Sequence, residues 1–260
     1  MLERIVLAAP VFLLIFARIF ALVRTAPLLS SGSFPGVARV ALTFFAAFAI
    51  FPGVVAAGYP IPATVAGYIL LMVGEVLIGL ISALFLVILF AVFQLAGQFF
   101  SLQMGFGASQ VFDPMAQVQI PVVGQFLNLI AMMVFIVSSG VQRIFLHAVQ
   151  GSFTAMTAYD IASRRGDMFT VVSASLGALF TQSLVLSLPI LGILFLLSVT
   201  MGLFGKAAPQ MNLLLLGFPM AIGIAFLSLL FALPFLVEAF EVVIEFAFSR
   251  IGLIFRGSTS

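Results

Sequence analysis

Residues Leu95 to Gln125 read LAGQFFSLQMGFGASQVFDPMAQVQIPVVGQ, and they depart from everything around them. The chain is 64% hydrophobic and 7% charged, yet seven of its eleven glutamines fall between Gln94 and Gln125, together with Gly105, Gly107, Asp113-Pro114 and Pro121. An ordinary lipid-facing helix does not tolerate this composition. Glycine and proline interrupt the helix, and exposed amides in hydrocarbon are costly unless protein buries them or a channel wets them. The function is expected around this segment, and the fold on either side must hold it in place.

The flanks are far more apolar. A mean hydropathy of +1.36, with ten basic and eight acidic residues in 260, excludes a soluble globular domain, whose charged fraction is about 25%. The chain belongs in or against a membrane. It has no cysteine, so disulfides and thiolate metal sites are absent. Its one histidine, His147, has no second ligand at a suitable spacing, which leaves no metal motif. A net charge of +2, with no basic run beyond Arg164-Arg165, does not point to nucleic acid. Arg4 followed by apolar residues resembles a signal peptide, but Arg18 and Arg24 interrupt the run and no A-x-A site follows, so a retained first helix is expected.

Apolar runs occur at about 5–24, 38–57, 64–104, 117–138, 141–158, 168–203 and 210–248. Their lengths predict an all-α fold. The run from Thr64 to Met104 would measure roughly 60 Å as a helix, against a hydrocarbon core of roughly 30 Å. The runs containing Pro189, and Pro219 with Pro234, overshoot in the same way. Either these helices are broken, or they extend beyond the bilayer inside an assembly that replaces lipid. A six-span topology sets Arg4, Arg143, Arg164, Arg165, Arg250 and Arg256 against Arg24, Arg39 and Lys206, which favours cytoplasmic termini.

Several polar groups stand out. Gln94, Gln98 and Ser101 share a helix face, continued by Gln103, and Gln117, Gln125 and Asn128 follow the loop. Gly97, Ser101 and Gly105 form a small-residue ladder beside them. The set reads either as a helix-packing seam or as the rim of a passage, uncharged and adaptable enough for a bulky, variable cargo. Glu75 is a lone acid inside its apolar run, and its natural partner is Arg18 or Arg39. Glu238, Glu241 and Glu245 form an acidic stripe on the last helix, solvated or facing another subunit. Enzyme readings lack their groups. Tyr159-Asp160 resembles half of an intramembrane aspartyl protease, but alanine follows Gly105-Phe106-Gly107 where a second aspartate is required. No G-x-S-x-G and no nucleotide-binding loop occurs, so neither catalysis nor a cofactor is expected.

Four stretches, taken together, resemble a known family. They are FARIFALVRTAPLLSSGSFPGVARVAL (Phe16–Leu42), GEVLIGL (Gly74–Leu80), the central QLAGQFFSLQMGFGASQVFDPMAQVQIPVVGQFLNL (Gln94–Leu129) and GLFGKAAPQMNLLLLGFPM (Gly202–Met220). In this order and spacing the chain is similar to the FliR/SctT/YscT export-gate family of type III secretion, over nearly its whole length.

The resemblance implies long, kinked helices and helical hairpins folded as part of a hetero-oligomeric, helical export-gate assembly. One copy of this chain would join several copies of FliP and FliQ, next to FlhB and the basal-body rod proteins, in the bacterial inner membrane and in contact with lipid. Unfolded flagellar proteins would pass through the assembly as substrates. Residues 1–167 would correspond to a FliP-like part and 168–260 to a FliQ-like hairpin with its tail. Gly105 to Pro114 would be the channel plug, with Phe106, Val111 and Phe112 as blocking side chains and Gly105 and Gly107 as flexible points. Asp113-Pro114 would restart the following helix. The reading from another class is a small-molecule or ion transporter in which Glu75 binds or couples the ion.

Overall fold

The computed structural model describes residues 2–30, 32, 34–105, 122–210 and 212–256. Among them every regular element is helical: α1 (Leu2–Thr25), α2 (Pro27–Ser30), α3 (Gly36–Ala56), α4 (Val65–Gln103), α5 (Val122–Val137), α6 (Gly140–Arg143), a π-helical stretch (Ile144–Gln150), α7 (Gly151–Ala155), α8 (Asp160–Ala207) and α9 (Leu213–Arg256). The all-α expectation holds. Pro189 lies inside α8, and Pro219 and Pro234 inside α9, without ending either helix. Of the two alternatives for the long runs, unbroken helices are the ones formed. At 39, 48 and 44 residues, α4, α8 and α9 would measure roughly 58, 72 and 66 Å.

The helix ends follow local chemistry. α4 stops at Gly105, whose φ of 85° closes the last turn through its N–H to the Leu102 carbonyl at 3.1 Å. α8 begins eight residues before its apolar run, because its first residue, Asp160, closes the turn with Thr157 ahead of it. The Thr157 N–H and hydroxyl both donate to Asp160 Oδ2 at 2.8 Å. Those bonds hold the Asp160 carboxyl below the usual carboxylate range. Buried hydroxyls are satisfied within their own helix: Ser175 donates to Val171 O at 2.7 Å and Ser183 to Leu179 O at 2.6 Å.

Four helices among the described residues are long and apolar enough to cross a membrane, or five if Val122–Val137 and Gly140–Ala155 count as one bent span. They differ in what covers them. The most apolar window of α4 is 61% buried within the chain, against 22% for α8 and 17% for α9. α4 is therefore a core helix. α8 and α9 instead present large side chains outward, among them Phe169, Phe195 and Phe231.

The chain forms two compact units. One comprises residues 1–89, 139–176 and 244–260; the other comprises 90–138 and 177–243. In the first, α1 packs on α3 through Phe12, which meets Phe44 and Phe51 edge-on at 5.4 and 5.9 Å. There too, Arg164 donates to the Phe255 carbonyl at 2.8 Å, so one of its arginines serves the last turn of α9. In the second, Phe93 meets Phe240 at 4.2 Å and Phe90 meets Phe135 at 5.4 Å, both edge-on.

Candidate functional site

The first unit holds a charge cluster with essentially no access to solvent. Arg18 of α1 and Glu75 of α4 are 2% and 0% exposed, and Arg18 Nε donates to Glu75 Oε2 at 2.5 Å. Every other polar edge of the pair is used as well. Arg18 donates through its two terminal nitrogens to Ser152 Oγ at 3.0 Å and the Met156 carbonyl at 3.1 Å, and its guanidinium lies 3.8 Å from the centre of the Phe153 ring. Glu75 Oε1 accepts from the Tyr59 hydroxyl and from the Ala158 N–H at 3.2 Å. Burial, then the Glu75 carboxylate beside it, holds the Tyr59 phenol above its ordinary range, so Tyr59 stays a donor. A cavity of about 610 Å³, lined in part by Tyr59, Gln150 and Phe153, adjoins the cluster.

Three separated stretches of chain meet on this pair: α1, the α3–α4 connection with α4, and α7 with the Met156–Ala158 turn ahead of α8. A buried pair this fully bonded is a structural joint, since both carboxylate oxygens of Glu75 are engaged within the protein. The GEVLIGL stretch carries the means of assembly. A methyl group on Gly74 would meet Ala158 Cβ at 2.6 Å, and one on Gly79 would overlap the Arg18 carbonyl. Glycine on either side of Glu75 therefore lets α1 and the α8 approach close in on it. Of the two candidate partners the structure brings Arg18 to Glu75. Arg39 is half-buried and serves the end of α2, donating to the Leu29 carbonyl at 2.9 Å and the Ser30 carbonyl at 3.2 Å.

The second unit holds both ends of the glutamine-rich segment. Gly97 of α4 crosses α5 in backbone contact, where a methyl group would overlap Gly124 Cα. Ser101 donates back to the Gly97 carbonyl at 2.9 Å. The small-residue ladder thus acts as a packing seam at Gly97. Of the polar candidates, Gln94, Gln103 and Gln125 are exposed and Gln98, Ser101 and Asn128 half-buried. Asn128 Oδ1 is enclosed and has no hydrogen-bond partner among the described residues. Gln103 and Gly105 line a cleft of about 310 Å³ with Leu197, Ser198 and Met201 of α8 and Phe218 of α9. Phe106, Gly107, Val111, Phe112, Asp113, Pro114 and Gln117 lie outside the described residues. Glu238, Glu241 and Glu245 are all exposed along α9.

Sequence reasoning missed Tyr59, Ser152, Phe153 and Phe218. The two glycines flanking Glu75 were a usable signal for the joint, because close approach on both sides of a buried acid implies backbone atoms brought within reach of it.

Comparison with known proteins fits this arrangement. Residues 9–247 match the family described as Bacterial export proteins, family 1. The flagellar biosynthetic protein FliR of Bacillus subtilis is 31% identical over 223 residues, covering 85% of each chain, and that of Escherichia coli is 29% identical over 223 residues, covering 86% of this chain and 84% of its own. The surface presentation of antigens protein SpaR of Shigella flexneri is 30% identical over 142 residues, 55% of this chain and 54% of its own. With the family matched across nearly the whole of an all-helical, apolar chain, this protein belongs to the bacterial export proteins of family 1, the FliR/SctT family.

Proposed function

We propose that this chain is a subunit of the flagellar type III secretion export gate in the bacterial inner membrane, forming part of the channel through which unfolded flagellar proteins leave the cell. The observation that carries the reading is the uncovered surface of α8 and α9, 48 and 44 residues long with only 22% and 17% of their most apolar windows buried. Helices of that length exceed a bilayer, so other subunits are the natural cover for what lipid does not reach. The longer match to FliR relatives than to SpaR favours the flagellar branch.

In this reading one copy assembles with several FliP and FliQ subunits next to FlhB and the rod. Residues 1–167 take the FliP-like place and 168–260 the FliQ-like hairpin. The segment from Gly105 to Pro114 is the plug, displaced when a substrate enters. The chain is a passive conduit and not an enzyme, and energy for export comes from elsewhere. A transporter coupled through Glu75 is disfavoured, because the carboxylate is already fully bonded.

Native mass spectrometry of the chain co-expressed with FliP and FliQ tests the assembly: one copy in a large hetero-oligomer is expected, and a stable monomer or homodimer that ignores both overturns it. Replacing Gly105–Phe112 with a short Gly-Ser linker tests the plug. Ion leakage through the assembled complex should rise, and unchanged leakage removes the assignment.

A further inference from the structure

We infer that the cavity beside the Arg18–Glu75 joint is a lipid site, taking one acyl chain of a membrane phospholipid with its glycerol ester end against Gln150. The last two turns of α3 and Tyr59 form one wall, and Gln150, Phe153 and Thr154 the other. At about 610 Å³ it has the size of a small-molecule site. Among the described residues no charged side chain lines it, and Arg18 and Glu75 behind it are 2% and 0% exposed. A phosphate or a cation would find no counter-charge there, so the occupant is uncharged.

The α3 wall is cut back. Upstream, Thr43, Ala46 and Ala47 are buried within the chain, but Ala49, Gly53 and Ala57, spaced four apart, are exposed. A methyl group on Gly53 would meet nothing within 4 Å. Small side chains thus make the room. Left empty, a void of this size forfeits dispersion contacts along its whole lining, so the surrounding fluid fills it. Helix length decides which fluid. α3 has 21 residues, about 32 Å, and fits a hydrocarbon core of about 30 Å. The other membrane-length helices run to 39 residues or more and overshoot it. Only 22% of the most apolar window of α3 is buried, and Phe44, Phe45 and Phe48 point outward, so lipid alone suffices to cover this helix. The cavity lies along residues 49–57 at one end of α3, the depth at which acyl chains meet their glycerol esters. Its lining changes in the same sense. Ile50 and Val54 give an apolar wall, whereas Gln150 and Thr154, both exposed, bring an amide and a hydroxyl. The Gln150 amide has two N–H donors for ester carbonyls, which only accept. Seated there, the acyl chain lies on Tyr59 and Phe153, the rings that bond Glu75 and cover Arg18.

The probe is a phosphatidylcholine with a diazirine in one acyl chain, in phosphatidylcholine vesicles holding the full-length chain, with adducts mapped by mass spectrometry after photolysis. Labelling is expected on residues 150–154 as well as on Phe45 and Phe48. Gly53→Phe fills the room from a position with no steric conflict. It should cut labelling of residues 150–154 about tenfold while leaving that of Phe45 and Phe48 as in the unaltered chain. Should Gly53→Phe not fold, Ala49→Phe on the same wall makes the test. Unlabelled residues 150–154 beside labelled Phe45 and Phe48, or labelling there that a folded variant leaves unchanged, overturns the inference. So does labelling of residues 150–154 that vanishes when the chain is reconstituted with co-expressed FliP and FliQ, which makes a subunit the occupant.

Discussion

Glu75→Leu leaves the Arg18 guanidinium buried without its counter-charge, bonded only to Ser152 and the Met156 carbonyl. Stranding one member of a buried pair costs about 3–5 kcal/mol. Arg18→Met strands the carboxylate instead, and because the Tyr59 hydroxyl and Ala158 N–H still bond it, the lower end of about 3 kcal/mol is expected. The double variant has no buried charge left. Its residual cost comes from the Met156 carbonyl, which loses its Arg18 partner at about 1–3 kcal/mol, whereas the Ala158 N–H keeps the Tyr59 hydroxyl at 3.5 Å. Ser152 keeps its bond to the Val149 carbonyl at 2.7 Å, and Tyr59 borders the cavity. The double loss is thus about 1–3 kcal/mol, far short of the summed single losses of about 6–8 kcal/mol. In a chain of this size about 1 kcal/mol corresponds to roughly 2–4 °C, so each single variant should lower the apparent Tm by about 6–20 °C and the double variant by no more than the worse single one. The assay is the loss of the monodisperse peak on heating in mild detergent, at one heating rate because such unfolding is irreversible. Additive losses, or a Glu75→Leu effect below about 1 kcal/mol as for an exposed pair, refute the joint.

Three further outcomes follow from the same geometry. Gly97→Ala sets a methyl against the Gly124 backbone, which has no flexible end to move aside, so about 1–3 kcal/mol should be lost; Gly177→Ala, in open space on α8, should instead gain about 0.5–1 kcal/mol in the same thermal assay, and equal effects at the two sites would refute the contact. Asp160→Ala should cost about 1 kcal/mol through loss of the two bonds that Thr157 donates to the carboxylate. Because the Asp160 carboxyl titrates below its unfolded value, that contribution is present above about pH 4 and disappears as pH falls through the folded pKa, so wild type and variant should converge in acid; a gap that persists there contradicts the assignment. Asn128→Leu removes an enclosed oxygen that has no partner among the described residues, and the chain should become more stable by about 1 kcal/mol, with a lowered Tm as the contrary result.

What was legible in the sequence is what local chemistry decides. The apolar runs marked the helices closely, since breaks in hydropathy and the positions of glycine and proline act on their immediate neighbours. The start of α8 was not legible from hydropathy, because Arg164-Arg165 interrupt the apolar run while the helix start is set by the Thr157–Asp160 turn, which hydropathy does not register. The choice between Arg18 and Arg39 for Glu75 was equally out of reach: residues 57 apart in sequence meet only because α1 and α4 pack, and both arginines stand among apolar neighbours. The residues that sequence analysis singled out are compositional outliers, an acid or a run of glutamines in an apolar chain. Phe153 is the opposite case, one of 31 phenylalanines, and nothing in its type separates it from the others. Its distinction is positional, a ring lying against the buried Arg18 guanidinium. In a chain this apolar, a rare residue declares itself by type, whereas a common one acquires a role through what it touches.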